Sequence, residues 1–346
     1  MQNPLSNLDN VVLNKAAMAE QEMRSFKAAG GTLVVDTTVP ALGRNPKMLR
    51  KLSKLTGVHV VMGTGFSVHV LHPSYLVGES TDEIAMKMER DLVGGCVESD
   101  EEGAIRAGVI GGIGVSSNFH DEERRVLVAA ARVQARTGAP LFVDLEPGCK
   151  LGKEVMDVVA SEGASLKRTV LLNMAYSCDD RDYLRSVLAR GCNVSMDCIG
   201  CSGAFLQHYN VMAPGDDRIA LCIAEMVSQG YGEQIVLSHG FQYKMQLVGG
   251  GGFGLQHIPR NFVPRMMGMR LGAEQMDRIC RGNLARILSY YVKPEESEQE
   301  EEVWECSSCK QSFPKSRQSF SKFTFQYCST TCLSAHRKVT NNWKDI

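Results

Sequence analysis

The sequence predicts an α/β protein in which a (β/α)8-type TIM barrel without its first strand precedes a small C-terminal zinc-binding module. Short apolar runs alternate with amphipathic helical stretches from about residue 33 to residue 291. Nothing before Ala17 reads as a buried strand, so seven strands are counted where a closed barrel has eight. Paired cysteines follow an acidic stretch near the C-terminus.

The seven apolar runs are predicted to form a parallel sheet that is buried on both faces. Continuously apolar strands are typical of such sheets, and strand–helix alternation implies parallel pairing through crossover helices. The predicted strands span residues 33–39, 59–66, 108–115, 140–145, 169–174, 193–197 and 234–239.

Amphipathic stretches between these runs predict the helices that cover the sheet. Several begin after an acidic or Asn residue and stop near a glycine, as at Gly138 and Gly163. The predicted helices span residues 17–29, 45–56, 121–137, 153–163, 180–190, 217–229 and 273–290.

Composition divides the chain into a barrel at 1–292, an acidic linker at 293–305 and a module at 306–346. The linker is rich in glutamate and cannot bury a core. The module is too short to fold on apolar burial alone, so we expect a bound metal to supply its folding energy.

Bulk charge and hydropathy exclude several classes of function. The formal net charge is −1, so no overall field favours nucleic acid or a membrane surface. No apolar run approaches the roughly 20 residues that cross a bilayer, and the N-terminus lacks the pattern of a secretory signal. A cytoplasmic, reducing location is therefore expected, with free thiols in the barrel.

Motifs throughout residues 20–288 occur in an order known from one enzyme family. They lie at 26–31, at 36–38 with Arg44 after them, and at 56–66, 108–114, 122–127, 137–141, 218–219 and 236–239. In these features the chain resembles the phosphotriesterase-related proteins, which are amidohydrolase-type TIM barrels and zinc-dependent hydrolases. The resemblance covers about three quarters of the chain.

This resemblance implies a two-metal centre at the barrel mouth, but the ligand positions of this chain are substituted. No two histidines are spaced i, i+2, although the family carries His-x-His on its first strand. Gly112 stands where the family has a bridging acid, and Gly240 stands where Asp should follow His239. Asp144 and Asn173 stand where histidines are expected, with Met174 the alternative if the register shifts by one.

Three functional interpretations follow from these substitutions. The preferred one is a pseudoenzyme whose barrel serves as a scaffold or binds a small molecule at its mouth. The alternative is a metal-dependent hydrolase of ester, lactone or amide bonds with a rebuilt active site, in which Asp144, Asp197 and His239 are the residual catalytic candidates. A truncated gene product explains the missing strand but not Gly112 or Gly240. A homodimer stays open.

Two further motifs in the barrel have structural and functional interpretations. The glycine-rich stretch 249–254 lacks the lysine of a P-loop, so a flexible loop at the mouth is predicted. His69 and His72 would share one face of a helix. Pro73 argues against a helix, so a loop with two solvated histidines is predicted.

The C-terminal module carries four cysteines at the spacing of a structural zinc site. Cys306, Cys309, Cys328 and Cys332 would close a tetrahedral site, with His336 as a further candidate. The stretch 327–336 resembles the second half of a MYND-type finger, which implies a protein partner rather than DNA. The module is basic, but phosphate binding would need a coherent patch of these charges, so nucleic acid is the less favoured partner.

Overall fold

A seven-stranded parallel sheet forms the centre of the N-terminal unit in the computed structural model of this chain. The structure describes residues 7–99, 103–269, 271–290, 303–314, 317–322 and 324–339. Contacts between residues divide the chain into two units, Met1–Val292 and Lys293–Ile346.

The sheet contains the seven predicted strands, each slightly shorter than the apolar run that predicted it. Each strand pairs in parallel with the next one along the sheet. The predicted parallel α/β fold is therefore confirmed. The strands are β1 Leu33–Asp36, β2 His59–Thr64, β3 Val109–Val115, β4 Leu141–Leu145, β5 Thr169–Leu172, β6 Asn193–Met196 and β9 Ile235–Leu237, with a short hairpin of β7 Phe205–Leu206 and β8 Val211–Met212 inserted before β9.

No strand joins β9 to β1 within the described residues. The segment that should supply it instead forms a 3-10 helix at Leu8–Val11, and residues 1–6 lie outside the described residues. The side chain of Asn10 accepts a hydrogen bond from the backbone of Met245 at 2.9 Å. The N-terminal segment is therefore tied to the loop after β9 rather than paired as a strand.

Helices cover the sheet and bury its outer face. The helices are α1 Ala16–Ala28, α2 Pro46–Thr56, α3 Thr81–Val93, α4 Asp121–Thr137, α5 Gly152–Ser161, α6 Arg181–Leu188, α7 Asp216–Ser228, α8 Val263–Gly268, α9 Ala273–Asp277 and α10 Asn283–Leu288. The predicted helix at 273–290 is wrong as a single α-helix, because a π-helical segment at Arg278–Gly282 separates α9 from α10. Helix α3 was not predicted, although the capping box of Ser80 and Glu83 marks its start in the sequence.

The buried apolar side chains of the strands form two separate clusters. Ile110, Leu141 and Val143 belong to the large cluster that includes the helices. Val109, Phe142, Val170 and Val236 form a second cluster together with Ile287 of α10. Because side chains alternate between the two faces of a strand, Asp144 lies on the same face of β4 as Phe142 of this second cluster, nearer the carboxyl end of the strand.

The C-terminal unit consists of two hairpins and a helix. Strands β10 Val303–Glu305 and β11 Ser312–Pro314 form one hairpin, β12 Phe320–Lys322 and β13 Phe325–Tyr327 the other, and helix α11 covers Thr330–Val339. The predicted acidic linker lies outside the described residues over 293–302, whereas its last three residues form β10. Among the described residues, no helix combines the length and apolarity needed to span a bilayer.

Candidate functional site

The mouth of the barrel contains a hydrogen-bonded network of two carboxyl groups and an amide. The Asn173 amide nitrogen donates to Asp144 Oδ1 at 2.7 Å and to the Leu145 carbonyl at 2.8 Å. The Asn173 backbone N–H donates to Asp197, whose other oxygen accepts from Ser195 Oγ at 2.7 Å. Asn173 adopts the left-handed backbone conformation, with φ of 60°, which asparagine tolerates better than most residues. We call Asp144, Asn173 and Asp197 the mouth network.

Burial shifts both carboxyl groups of the mouth network towards protonation. Burial first, and then the charge of Asp197, raise the pKa of Asp144 to about 7, while the hydrogen bond from Asn173 acts in the opposite direction. Burial also raises the pKa of Asp197 to about 6, against the hydrogen bonds that it accepts. Paired carboxyl groups of this kind can exchange protons near neutral pH.

Two glycines stand at positions of the mouth where the family resemblance implies metal ligands. A Cβ atom on Gly112 would lie 3.5 Å from Asp144 Cβ, so this position faces the mouth network. Gly240 has φ of +58°, and its Cβ atom would lie 3.4 Å from Asp197 Cβ. Both positions therefore point at the network, but neither can offer a donor atom.

The described residues at the mouth do not fit a pair of divalent cations. A bridged metal pair needs several imidazole and carboxylate ligands whose lone pairs converge. Here the Asn173 amide donates hydrogen bonds to Asp144, and two of the positions are glycine. Asp144, Asp197 and His239 do not appear among the His, Cys, Asp and Glu groups of the described residues whose ligand atoms converge.

His239 contacts residues that are not part of the mouth network. Its side chain accepts a weak hydrogen bond from the Ile258 N–H at 3.4 Å and stacks on Phe241. Burial, and then the neighbouring His257, lower the pKa of His239 to about 3. It is therefore a neutral and weak base near pH 7.

A buried histidine–aspartate pair lies beside His239 and was not predicted. His257 Nε2 lies 2.6 Å from Asp216 Oδ2, and Asn261 donates to His257 Nδ1 at 2.9 Å. The hydrogen bond from Asn261 leaves Nε2 as the protonated nitrogen, so His257 donates to the carboxylate. Asp216 also accepts a hydrogen bond from the Gly200 N–H at 2.8 Å. The pair therefore connects the loop after β6, the start of α7 and the segment before α8.

Two tyrosines beside the mouth network were also missed by sequence reasoning. Tyr209 lies at the turn of the β7–β8 hairpin, and burial together with the charges of Glu146 and Asp144 raises its pKa. Burial and the neighbouring Tyr209 raise the pKa of Tyr243 to about 12. Both residues lie in irregular segments, where periodicity gives no signal.

The glycine-rich stretch and the paired histidines both lie in loops that contain short 3-10 turns. Glu22, which is 3% exposed, accepts hydrogen bonds from the backbone of Val248 and Leu255, so the glycine-rich stretch between them is tied to α1. His69–Leu71 forms a 3-10 turn. The prediction of two solvated histidines is wrong for His72, whose side chain is 3% exposed.

The four cysteines of the C-terminal unit converge on one point. Their sulfur atoms lie within 4.8 Å of one another, and the Cys309–Cys328 and Cys328–Cys332 distances are 3.7 and 3.5 Å. A tetrahedral zinc with Zn–S bonds of about 2.3 Å separates its sulfurs by about 3.8 Å. Burial acts to raise the pKa of Cys306, but backbone N–H groups of Cys309 and Cys328 lower it to about 6, which favours the thiolate that binds metal.

His336 does not join this cysteine cluster in the described structure. Its Nδ1 atom lies 2.8 Å from the Tyr327 hydroxyl, and its ring contacts Phe325 edge-on. Tyr327 is fully buried. His336 therefore helps to form the small core beneath the cysteines.

Residues 1–288 match the phosphotriesterase family, and residues 301–342 match the Vms1-associating treble clef domain. The chain is 30% identical over 292 residues to an N-acetyltaurine hydrolase of Danio rerio, with 84% of this chain and 82% of that protein covered. It is 31% identical to a phosphotriesterase-related protein of Nematostella vectensis, over 84% of this chain and 82% of that protein.

Among solved structures, the chain resembles a resiniferatoxin-binding protein from Rhodobacter sphaeroides. The TM-score is 0.79 and the identity 35%, with 85% of this chain and 80% of that chain covered. The predicted phosphotriesterase family is thus confirmed for the barrel, and the C-terminal module matches a treble clef domain; its resemblance to a MYND-type finger stays a prediction.

Proposed function

The chain belongs to the phosphotriesterase family, and we propose that its barrel is a member without the binuclear metal centre. In this proposal the mouth binds a small molecule and does not hydrolyse it, so the barrel is a pseudoenzyme that serves as a scaffold or a ligand sensor. The C-terminal unit, on this proposal, holds a structural zinc ion and binds a protein.

The mouth network carries the proposal for the barrel. Asn173 uses its amide to hold Asp144 in place, whereas an imidazole at this position would offer a lone pair to a metal. Gly112 and Gly240 face the same network without donor atoms. A network that already uses Asp144 Oδ1 and both Asp197 oxygens in internal hydrogen bonds, with Tyr209 and Tyr243 beside it, suits the orientation of a small polar ligand better than the activation of water.

The names of the relatives suggest which small molecules to test. Several are named N-acetyltaurine hydrolases, which gives small amides as the first ligand class to test. A structural relative with 35% sequence identity is named a resiniferatoxin-binding protein, which is consistent with a binding role on this fold.

The cysteine cluster supports the proposal for the C-terminal unit. Cys306, Cys309, Cys328 and Cys332 provide four sulfur ligands and leave no position for water, as in structural zinc sites. The name of the matched family, a Vms1-associating domain, supports a protein as the partner of this unit.

A turnover assay tests the proposal for the barrel. The full chain is incubated with N-acetyltaurine, a lactone and a simple ester in micromolar zinc, and the products are quantified. We expect no turnover above a buffer blank, and the same zinc content in the wild type and in Asp144→Asn. Turnover that Asp144→Asn abolishes and Glu146→Gln retains would refute the proposal.

One observation favours a second candidate, a hydrolase with a rebuilt site. Asp144 and Asp197 both have a raised pKa and lie on either side of one residue, so one could hold a proton while the other accepts one. This candidate predicts turnover that persists in the presence of a chelator and depends on pH between about 6 and 7, the pKa values of the two groups.

A further inference from the structure

Two histidines and a glutamate converge at a place that belongs to neither site described above. His69 and His72 follow β2, and Glu122 lies in the first turn of α4, which follows β3. We propose that His69, His72 and Glu122 form a binding site for a single first-row divalent cation, with zinc the best fit. The inference is independent of the proposed function, because the three residues have no part in the mouth network.

The ligand atoms have the separations of a metal site. His69 Nδ1 lies 2.9 Å and His72 Nδ1 3.4 Å from the same oxygen, Glu122 Oε2, and one ligand atom from each residue falls within 4.8 Å of the others. Metal–nitrogen and metal–oxygen bonds of about 2.0–2.2 Å separate tetrahedral ligand atoms by about 3.3–3.6 Å. Small side-chain adjustments would therefore admit an ion between them.

The tautomer of His72 points its lone pair into this site. His72 Nε2 lies 2.7 Å from the Ser67 carbonyl oxygen, and a carbonyl only accepts, so Nε2 carries the hydrogen. In the neutral ring Nδ1 is then unprotonated and faces a carboxylate oxygen, an arrangement of two lone pairs that a cation between them would stabilise. The outer N–H of a metal-bound histidine is commonly held by a carbonyl in this way.

A buried carboxylate holds the segments that present these ligands. Glu123 is fully buried and accepts hydrogen bonds from the backbone N–H groups of His69 at 2.8 Å, Ser116 at 3.0 Å and His120 at 3.2 Å. The rings of His69 and His120 stack, with their centroids 4.5 Å apart. The loop after β2, the loop after β3 and the start of α4 are thus fixed relative to one another before any ion binds.

The site is open to solvent on one side. The His69 side chain is 40% exposed and Glu122 is 21% exposed, whereas His72 is 3% exposed. An ion could therefore enter from solvent, and water could complete its coordination. Two imidazoles and one carboxylate suit zinc and similar cations, whereas calcium and magnesium prefer an all-oxygen set.

Zinc content provides the first test. The full chain is dialysed to equilibrium against micromolar zinc, and zinc per chain is measured by mass spectrometry. We expect one fewer zinc per chain in His69→Ala and in His72→Ala than in the wild type and in His59→Ala, a control at an exposed histidine of β2. Equal zinc in all four proteins would overturn the proposal and leave the contacts as a histidine–carboxylate ion pair.

Cobalt absorption provides a second test, which reports on the histidine–glutamate site separately from the cysteine cluster. With zinc already in the cysteine cluster, added cobalt should produce visible d–d bands without the strong thiolate charge-transfer band. We expect the bands to disappear in His69→Ala, whose partly exposed side chain can be removed without opening the core, while circular dichroism and melting stay unchanged. Bands that persist in this variant, or bands absent from the wild type, would refute the site.

Discussion

The cysteine cluster of the C-terminal unit and the mouth network of the barrel differ in what their potential metal-ligand atoms contact. In the cluster, four sulfur atoms converge with separations close to those of a tetrahedral zinc site. In the mouth network, the Asn173 amide and backbone and the Ser195 hydroxyl donate to the carboxyl oxygens. The first arrangement directs four sulfur atoms at a common point, whereas in the second three of the four carboxyl oxygens accept hydrogen bonds within the protein.

This difference shows that residue type alone does not define a metal site. Asp144 and Asp197 are ligand-type residues at the carboxyl end of the strands, but three of their four oxygens accept hydrogen bonds within the protein. A buried polar group is stable when it is hydrogen-bonded, whatever supplies the bond. An amide that replaces an imidazole can therefore convert a ligand position into a structural one.

The largest expected effect is at the cysteine cluster. Cys328→Ser should remove the zinc and unfold the C-terminal unit, because metal binding worth about 10–16 kcal/mol in small zinc modules exceeds what so short a segment gains from its core. Zinc content and amide hydrogen exchange over residues 303–339 measure this. Cys280→Ser, at an exposed cysteine of the barrel, should change neither, and protection that survives the loss of zinc would contradict the comparison.

The next effect is expected at the centre of the mouth network. Asn173→Ala should destabilise the barrel by about 2–4 kcal/mol, because it removes donors from Asp144 Oδ1 and the Leu145 carbonyl and places alanine in a left-handed conformation. Urea unfolding measures the loss, and Asn173→Gly separates the backbone cost from the lost hydrogen bonds. A fall in zinc content in Asn173→Ala would show that the mouth holds a metal after all.

A smaller effect with a defined pH dependence is expected at Asp144. Its pKa rises on folding to about 7, so this carboxyl favours the folded state below about pH 4, and that contribution is lost as the pH rises through 7. Asp144→Asn keeps an acceptor for Asn173 and should stabilise the barrel at pH 8 by about 1–3 kcal/mol, at about 1.4 kcal/mol per pKa unit. Unfolding measured at pH 5 and pH 8 checks this.

The matched control for Asp144→Asn is Glu146→Gln, which lies at the same end of the barrel and contacts Ser117 instead of the network. An Asp144→Asn barrel whose stability changes with pH as steeply as that of the wild type would show that Asp144 is ionised in the folded state at all of these pH values.

The smallest effect is expected when one missing ligand is returned. Gly240→Asp places a carboxylate beside Asp197 at a position whose backbone aspartate tolerates. The other ligand positions stay substituted, so we expect no gain in zinc and a loss of stability of about 1 kcal/mol or less relative to Gly240→Asn, from like-charge repulsion. Zinc gained by Gly240→Asp alone would indicate that a latent metal site survives at the mouth.

Much of this arrangement could be predicted from the sequence. The seven parallel strands follow from apolar runs that are buried on both faces, and the cysteine cluster follows from the spacing of Cys306, Cys309, Cys328 and Cys332. The substituted positions Gly112 and Gly240 were identified because each lies within a recognisable motif. Such features depend on neighbours in sequence, which periodicity and spacing record directly.

Other features depend on contacts between segments that are distant in sequence. Asn173 holds Asp144 from the next strand of the sheet, His257 pairs with Asp216 over 41 positions, and Glu122 meets His69 and His72 over about 50. None of these pairs has a local signature. The interruption of the last helix by a π-helical segment is likewise a result of packing.

The sequence by itself therefore determined the class of fold, the family of the barrel and the four cysteines that converge in the C-terminal unit. Only the tertiary structure decided which polar atoms are already hydrogen-bonded and which remain directed at a common point. The physical reason is that the hydrogen-bonding state of a side chain is a property of its surroundings. The same aspartate or histidine can hold the fold together or bind an ion, depending on what faces it.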